Sequence, residues 1–315
     1  MRTHHHLAAM LTGTAVVSAL VITLPNAAQA LPGTKINDIA REVTVLIRGD
    51  QSHGSGVIIK KSGNTYYVLT AEHVVREKDD YKLVTADQKA YPLEYSKVKP
   101  IDGVDLAIVK FTSDKNYPVA KIGTAKTTEG QDVFVSGWPS NGAVGKEAGG
   151  ELIRQFTSGQ ISGFLKKPLR GYSMSYTNVT RAGMSGCPVL DTAGRVVAIH
   201  GMGDKEDTRN LEGAEKNFAG KIKSGFNYAV PISVFLQKAD SINFDSDSLE
   251  IDKSAAPEPG AAYVASGATD PRDKINNIQE TLKSVSDITK TINTTTDTIK
   301  GFQDSLKGFG GLFGR

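Results

Sequence analysis

The sequence is poor in cysteine, in histidine and in net charge. Cys187 is the only cysteine, so the chain cannot form an internal disulfide and its fold depends on a packed core. The formal net charge is +3, from 37 basic and 34 acidic residues, and no basic surface indicates nucleic-acid binding. We expect no cofactor, no metal ion and no nucleic-acid partner.

Between Val43 and Val230 the sequence has no long amphipathic helix, which excludes a doubly wound α/β sheet. Short runs of β-formers such as GSGVIIK, TYYVLT and VDLAIVKF alternate there with Gly, Asn, Asp and Pro. Many short strands separated by turn residues predict an all-β sandwich or barrel. Pro231 then opens PISVFLQKA, which predicts one short closing helix.

The first 30 residues read as an export signal, because an apolar run from Leu7 to Leu24 precedes Pro25 and the small-residue sequence AQA. We expect cleavage before Leu31, although the same run also allows a retained membrane anchor. An exported chain works in the periplasm or outside the cell.

Three further segments follow the globular domain, which is predicted at residues 31–240. Residues 241–272 are rich in Ser, Ala, Asp, Gly and Pro and are predicted to be a linker. Residues 273–308 carry apolar residues at heptad spacing, and residues 309–315 are a glycine-rich tail. The heptads predict a long amphipathic helix, and three roles stay open for it: packing on its own domain, self-association as a coiled coil, or contact with a membrane surface or partner.

Three histidines follow the signal segment: His53, His73 and His200. His73 comes just after the strand-like run YYVLT, so its imidazole ring is predicted at a strand end, where it is accessible enough to act as a base. The alternative is a histidine buried in the core with a structural role. His53 lies beside Gly54 and is predicted to be a loop residue.

Asp105 opens the apolar run DLAIVKF, and a carboxylate in that position needs a hydrogen-bond donor such as an imidazole N–H. Asp102 and Asp79 compete with it by position, but the first lies in a turn signal and the second in the charge run REKDD. Both therefore read as surface residues.

Ser185 lies in the stretch RAGMSGCPV, between Gly183 and Gly186. Glycines allow a tight turn whose N–H groups point inward, as an oxyanion requires. The residues alone leave Ser185 open as a turn residue or a nucleophile.

Together these motifs, in the order GSGVII, TAEHVV, VDLAIV, GMSGCPV, RVVAIHG and FNYAVPI, resemble the trypsin-like serine peptidases of the chymotrypsin-fold clan, in particular their disulfide-free bacterial members. The resemblance covers about residues 38–240. It implies an all-β fold of two six-stranded antiparallel barrels with a cleft between them. It also implies that Ser185 is the nucleophile, that His73 takes its proton and later gives it to the leaving amine, and that Asp105 orients the His73 ring. The N–H groups of Gly183 and Ser185 would form the oxyanion hole.

Two departures and one specificity signal accompany this resemblance. Met184 stands where the animal enzymes have an aspartate that pairs with a new amino terminus, so no such activation switch is expected. Cys187 is expected to be a small buried residue. Thr180 and His200 match positions that bind an acidic side chain in secreted glutamyl endopeptidases, which implies a preference for an acidic residue before the cut.

The expected function is therefore an exported serine endopeptidase acting on proteins or peptides through an acyl-enzyme. The alternative is a catalytically silent binding or scaffold protein of the same fold. A quality-control protease of the high-temperature-requirement type is set aside here, because residues after Asp240 read as linker and heptads and not as a PDZ module.

Overall fold

The structure is a computed structural model that describes residues 30–141, 147, 149–207, 221–258 and scattered positions between 283 and 300. The predicted signal segment up to residue 29, the predicted linker beyond residue 258 and the glycine-rich tail at 309–315 lie outside the described residues. Two mainly antiparallel sheets make up the described domain.

The first sheet has seven strands in the order β5-β4-β1-β2-β3-β7-β6. Their bounds are β1 Thr44–Arg48, β2 His53–Ser62, β3 Thr65–Thr70, β4 Lys82–Val84, β5 Ala90–Pro92, β6 Lys99–Pro100 and β7 Ala107–Thr112. Every neighbouring pair is antiparallel. A cluster of buried aliphatic and aromatic side chains packs on one face of this sheet. Tyr66 and Val68 of the run TYYVLT belong to it, as expected for side chains that alternate between the two faces of a strand.

The second sheet forms a closed barrel. Its strands are β8 Ile122–Gly123, β9 Asp132–Gly137, β10 Gln155–Leu169, β11 Tyr172–Tyr176, β12 Pro188–Leu190, β13 Val196–Asp207, β14 Lys221–Pro231 and β15 Ile251–Asp252. The order β12-β9-β10-β11-β14-β13 closes because β12 also pairs with β13. β8 and β15 extend this barrel through parallel pairings.

The predicted all-β fold of two barrels is thus confirmed, with one difference in strand count. Six strands close the second barrel as expected, whereas the first is an open half-barrel sheet of seven strands. A shared core joins the two, since Val57, Leu69 and Ile108 of the first sheet belong to the same cluster as Leu190 and Ile199 of the second. The cleft between the sheets is therefore built on one continuous apolar interior.

Two helices pack on this core, α1 Gly33–Val43 and α2 Ile232–Lys238. α2 is the closing helix expected after Pro231. α1 was not predicted, although its buried residues Ile36, Ala40 and Val43 recur at i, i+4 and i+7.

Residues 241–257 differ from the predicted linker, because they pack on the domain. Phe244 and Leu249 are buried in the shared core, and β15 pairs with β8. The Arg195 guanidinium binds the Asp252 carboxylate at 3.0 Å. Composition alone misses this, since much of the anchoring comes from polar residues: besides Asp252 on Arg195, the Asp245 carboxylate accepts from the Lys60 ammonium at 2.8 Å.

The two ends of the described domain meet at Thr192. The Leu31 N–H donates to the Thr192 carbonyl at 2.9 Å, and the Thr192 hydroxyl donates to the Pro257 carbonyl at 2.5 Å. The turn between β12 and β13 therefore fixes both ends of the domain.

The described positions between 283 and 300 are helical and exposed. Four threonine hydroxyls there donate to the carbonyl four residues earlier. The heptad residues Val285, Ile292 and Ile299 lie outside the described residues, so the role of this helix stays a prediction. In the part of the chain that the structure describes, no helix has both the length and the apolar character needed to span a membrane.

Candidate active site

His73 and Asp105 form a hydrogen-bonded pair at the edge of the first sheet. His73 lies in the 3₁₀ turn Glu72–Val74 directly after β3, and Asp105 lies just before β7. Because Thr70 pairs with Ala107, the end of β3 and the start of β7 are neighbours. The Asp105 carboxylate accepts from His73 twice, from the ring Nδ1 at 2.7 Å and from the backbone N–H at 2.9 Å.

The Asp105 carboxylate is buried and has further donors. The Tyr172 hydroxyl donates to Oδ2 at 2.6 Å, and the Arg170 guanidinium lies 3.4 Å from Oδ1. Burial by itself raises the pKa of Asp105, but the hydrogen bonds from His73 and Tyr172 outweigh it and hold that pKa well below its ordinary value. Asp105 is therefore ionised at neutral pH and can fix the Nδ1–H tautomer of His73.

Ser185 lies on a turn that packs against the end of β3. Gly186 has φ of +87°, and a Cβ placed on it would lie 2.2 Å from the Thr70 hydroxyl and 3.0 Å from the Ala71 nitrogen. Only glycine allows this approach. Gly186 of the second barrel thus lies directly against Thr70 and Ala71 of the first. Ser185 is one residue from this contact, and His73 is two residues from it.

The Ser185 hydroxyl donates to the Gly201 carbonyl at 3.4 Å. Among the described residues it makes no hydrogen bond to His73. A bond of this length is weak, and side-chain hydrogen bonds of a nucleophile often tighten only with substrate present.

The backbone before Ser185 has two anchored carbonyls. The Ala182 carbonyl accepts from the Ser140 N–H at 2.7 Å, and the Met184 carbonyl accepts from the Cys187 N–H at 3.1 Å. In a trans peptide the next N–H points the opposite way, so the Gly183 and Ser185 N–H groups point away from these partners. Neither N–H donates a hydrogen bond within the described residues, so both can serve an oxyanion.

Thr180 and His200 lie in one buried polar cluster. The Tyr176 hydroxyl and the His200 Nδ1 are 2.5 Å apart, and the Thr180 hydroxyl donates to the Asn227 side-chain oxygen. β11, which carries Tyr176, pairs with β14, which carries Asn227. The structure thus brings Thr180 and His200 into the same barrel interior, with Tyr176 and Asn227 as neighbours that the sequence analysis missed.

The remaining residues singled out from the sequence lie as follows. His53 begins β2 and is not in a loop; its Nε2 is 3.1 Å from the Trp138 carbonyl, and its ring faces Gly183. Burial lowers the pKa of His53. Cys187 is fully buried, and burial raises its pKa. Asp79 accepts backbone N–H groups of exposed neighbours, as a surface residue does.

Tyr172 and Arg170 are the residues of this site that sequence reasoning missed. Tyr172 lies in the alternating run YSMSY, which reads as an ordinary half-buried strand, and Arg170 lies in a turn between β10 and β11. Arg170 has a φ of +48°, and the next residue is Gly171. That dipeptide marks a tight turn, but no local signal gives its proximity to Asp105.

The fold defines the class: the described residues form a chymotrypsin-like two-barrel domain. The family described as a trypsin-like peptidase domain matches residues 54–199. A structural neighbour, the serine endoprotease from Yersinia pestis, has a TM-score of 0.51 at 19% identity and covers 67% of this chain and 66% of that chain. At that identity it supports the fold alone.

Several curated relatives are HtrA proteins. The Serine protease Do-like HtrA of Bacillus subtilis (strain 168) is 28% identical over 167 residues, which are 50% of this chain and 35% of that protein. Its namesake in Lactobacillus helveticus is 30% identical over 175 residues, 51% of this chain and 39% of that protein. The Serine protease HtrA-like of Staphylococcus aureus (strain USA300) is 35% identical over 113 residues, 35% of this chain and 13% of that protein.

The chain thus spans less than two fifths of the length of these three relatives. Their name, HtrA, is that of the high-temperature-requirement type that the sequence analysis set aside, so these relatives count against that exclusion. The likeness covers about half of this chain or less, so the activity of the whole protein belongs to the proposal below.

Proposed function

We propose that this protein is an exported serine endopeptidase that hydrolyses peptide bonds through Ser185, His73 and Asp105. The observation that carries the proposal is the 2.7 Å bond between the His73 Nδ1 and the buried Asp105 carboxylate, next to the turn that presents Ser185. A histidine held by a buried carboxylate beside a glycine-flanked serine is the geometry of a general base and its nucleophile.

In the first step the Ser185 hydroxyl rotates from the Gly201 carbonyl toward the His73 Nε2. The His73 ring takes the hydroxyl proton as Oγ attacks the substrate carbonyl, and the resulting imidazolium is stabilised by Asp105. The Gly183 and Ser185 N–H groups bind the tetrahedral oxyanion. His73 then gives the proton to the leaving amine, which departs and leaves the acyl-enzyme. Water next attacks the ester carbonyl while His73 takes its proton, and His73 returns a proton to the Ser185 oxygen as the carboxylic acid product is released.

We also propose that the substrate pocket prefers an acidic residue before the cut. The 2.5 Å contact between the Tyr176 hydroxyl and the His200 Nδ1 supports this: in the tautomer with the ring proton on Nε2, the hydroxyl donates to Nδ1 and the ring can donate to a carboxylate. A panel of peptides that differ only at that residue tests the preference. Equal cleavage after Glu, Ala and Leu would remove it, whereas His200→Gln should reduce cleavage after Glu far more than after Leu.

Export and self-association belong to the same proposal. The signal at residues 1–30 supports a periplasmic or extracellular location, and the heptads at 273–308 support self-association. Sedimentation of the full chain against a variant with Val285→Asp and Ile292→Asp tests the second point. An unchanged mass would leave the helix to another role.

A fluorophosphonate probe separates the enzyme from a silent scaffold of the same fold. The probe should label Ser185 in the folded chain, and Ser185→Ala should lose both labelling and casein hydrolysis. The matched control is Ser162→Ala, whose exposed hydroxyl is 2.8 Å from that of Ser175 in the second barrel. Absence of labelling in the wild-type chain would favour the scaffold.

A further inference from the structure

We infer that Tyr172 is a positioning residue of this site, holding the Asp105 carboxylate from the second barrel so that His73 keeps one orientation. This inference rests on the proposed function. Its starting point is the 2.6 Å bond from the Tyr172 hydroxyl to Oδ2, the same oxygen that accepts from the His73 Nδ1.

Asp105 has its two oxygens fixed by different parts of the chain. Oδ1 accepts from the His73 backbone N–H at 2.9 Å, within the first sheet. Oδ2 faces the second barrel through Tyr172. Without the phenol, the short hydrogen bonds to both carboxylate oxygens come from His73 alone, so the carboxylate and the ring can shift together, since the terminal torsion of the carboxylate has a broad minimum. The phenol removes this freedom.

The position of Tyr172 is itself fixed. The side chain is 3% exposed, and it lies in β11 between β10 and β14. The residue opposite its hydroxyl is Gly201, where an added Cβ would lie 1.9 Å from the phenol oxygen. Glycine at 201 therefore makes the room that the hydroxyl occupies, and Ser185 donates to the carbonyl of the same Gly201.

The backbone strengthens this arrangement. The Asp105 N–H donates to the Arg170 carbonyl at 2.9 Å, so the turn that precedes Tyr172 also holds the residue that Tyr172 binds. Burial, followed by the charge of Asp105, raises the pKa of Tyr172. The phenol is therefore a permanent donor across the working pH range.

The charged groups around the His73–Asp105 pair form one network. Arg170 contacts both Asp105 and Glu72, and Glu72 also pairs with Arg76. Tyr172→Phe changes none of these charges. It removes one donor, so the charge on Asp105 is less neutralised and stabilises the His73 imidazolium more. In the variant the carboxylate therefore loses its fixed orientation, and the bond from the His73 Nδ1–H to Asp105 should change with it.

The first experiment measures peptide hydrolysis by the full chain and its Tyr172→Phe variant. We expect kcat to fall by roughly ten- to a hundredfold, the equivalent of one hydrogen bond to a charged group. KM should stay unchanged, and the acidic limb of the pH profile should move to higher pH. The matched control is Tyr66→Phe, which deletes another buried phenol bond, to the Lys115 carbonyl at 2.8 Å, and should leave kcat and the pH profile as they are.

The second experiment follows the Nδ1–H proton resonance of His73 by NMR in the full chain, assigned by its loss in His73→Gln. It needs no catalytic activity, so it distinguishes the two proposals. A shifted or broadened resonance in Tyr172→Phe, in a chain without hydrolysis, would keep the positioning role and remove the proposed function. Hydrolysis and a resonance that both match the wild type in a folded Tyr172→Phe chain would overturn the positioning role.

A further pair of variants tests whether a hydroxyl at this place is what the site requires. Tyr172→Val combined with Gly201→Ser removes the ring and places a new hydroxyl in the space of the phenol oxygen. We expect it to regain much of the activity that Tyr172→Val loses alone. Equal activity of the single and double variants would contradict the inference.

Discussion

Replacing Arg195 with methionine should destabilise the domain by about 3–5 kcal/mol, the usual cost of removing one partner from a buried ion pair. The guanidinium binds the Asp191 carboxylate at 2.6 Å, and the two side chains are only 2% and 1% exposed. Water therefore cannot replace the lost partner. Methionine fills much of the volume but leaves the buried Asp191 charge without a cation, with only the backbone N–H groups of residues 193 and 195 as donors.

The structure also grades the related substitutions. Asp252→Asn removes the second carboxylate partner of Arg195, but that carboxylate is 41% exposed, so water can replace it and the expected loss is much smaller than that of Arg195→Met. The control is Arg41→Met, whose pair with Asp38 is 49% and 56% exposed. It should change stability by at most a few tenths of a kcal/mol, which is about the scale of exposed pairs.

Urea unfolding followed by the fluorescence of Trp138 measures the series. The midpoint should fall in the order wild type, Asp252→Asn, Arg195→Met, with similar slopes. The loss in Arg195→Met should also persist at about 1 M salt, since buried charges are little screened. A loss no greater than that of Arg41→Met would refute the reasoning, because it would mean that water reaches Asp191.

Three further predictions concern the site. Gly183→Ala should lower kcat by roughly a hundredfold or more, because it should displace the N–H group proposed to bind the oxyanion. Gly183 has φ of +90°, and an added Cβ would lie 2.6 Å from the Trp138 carbonyl and 2.2 Å from the His53 ring. Full activity in a folded variant would contradict this. The pKa of Asp105 is lowered in the folded chain, so this carboxylate stabilises the fold above its unfolded pKa of about 3.9, and the stabilisation is lost as pH falls through the lower folded pKa. In Asp105→Asn the free energy of unfolding should therefore fall less between those two pH values than in the wild type. Identical curves of stability against pH would count against this. Cys187 should not react with a thiol reagent until the chain unfolds, because it is buried and its pKa is raised; rapid reaction of the native chain would show that it is accessible.

The parts of the fold and site that the sequence predicts are those with a local cause. Asp105 stands at the edge of an apolar run and needs a donor, and the structure supplies that donor from His73 at 2.7 Å. Gly183 and Gly186 indicate a tight turn, and both have positive φ. The strands follow from alternating β-formers, which predict a sandwich or a barrel, whereas the arrangement in two barrels was implied by the family resemblance.

The parts that it does not predict depend on contacts between distant residues. Tyr172 is 67 positions from Asp105, and nothing in the strand around it distinguishes a bonded phenol from a core ring. Residues 241–257 look like linker because their polar composition conceals two anchors, Phe244 in the core and Asp252 on Arg195. The open first sheet depends on edge strands of two or three residues, too short for any periodicity.

The shared attachment of Leu31 and Pro257 to Thr192 has a consequence for chain connectivity. Since both ends of the described domain are bound at one corner, a short peptide joining them would close the backbone into a ring with little rearrangement. Such a circularly permuted chain could open at an exposed turn elsewhere and keep every pairing of the two sheets. In the natural order, a segment before Leu31 and one after Pro257 start from the same corner.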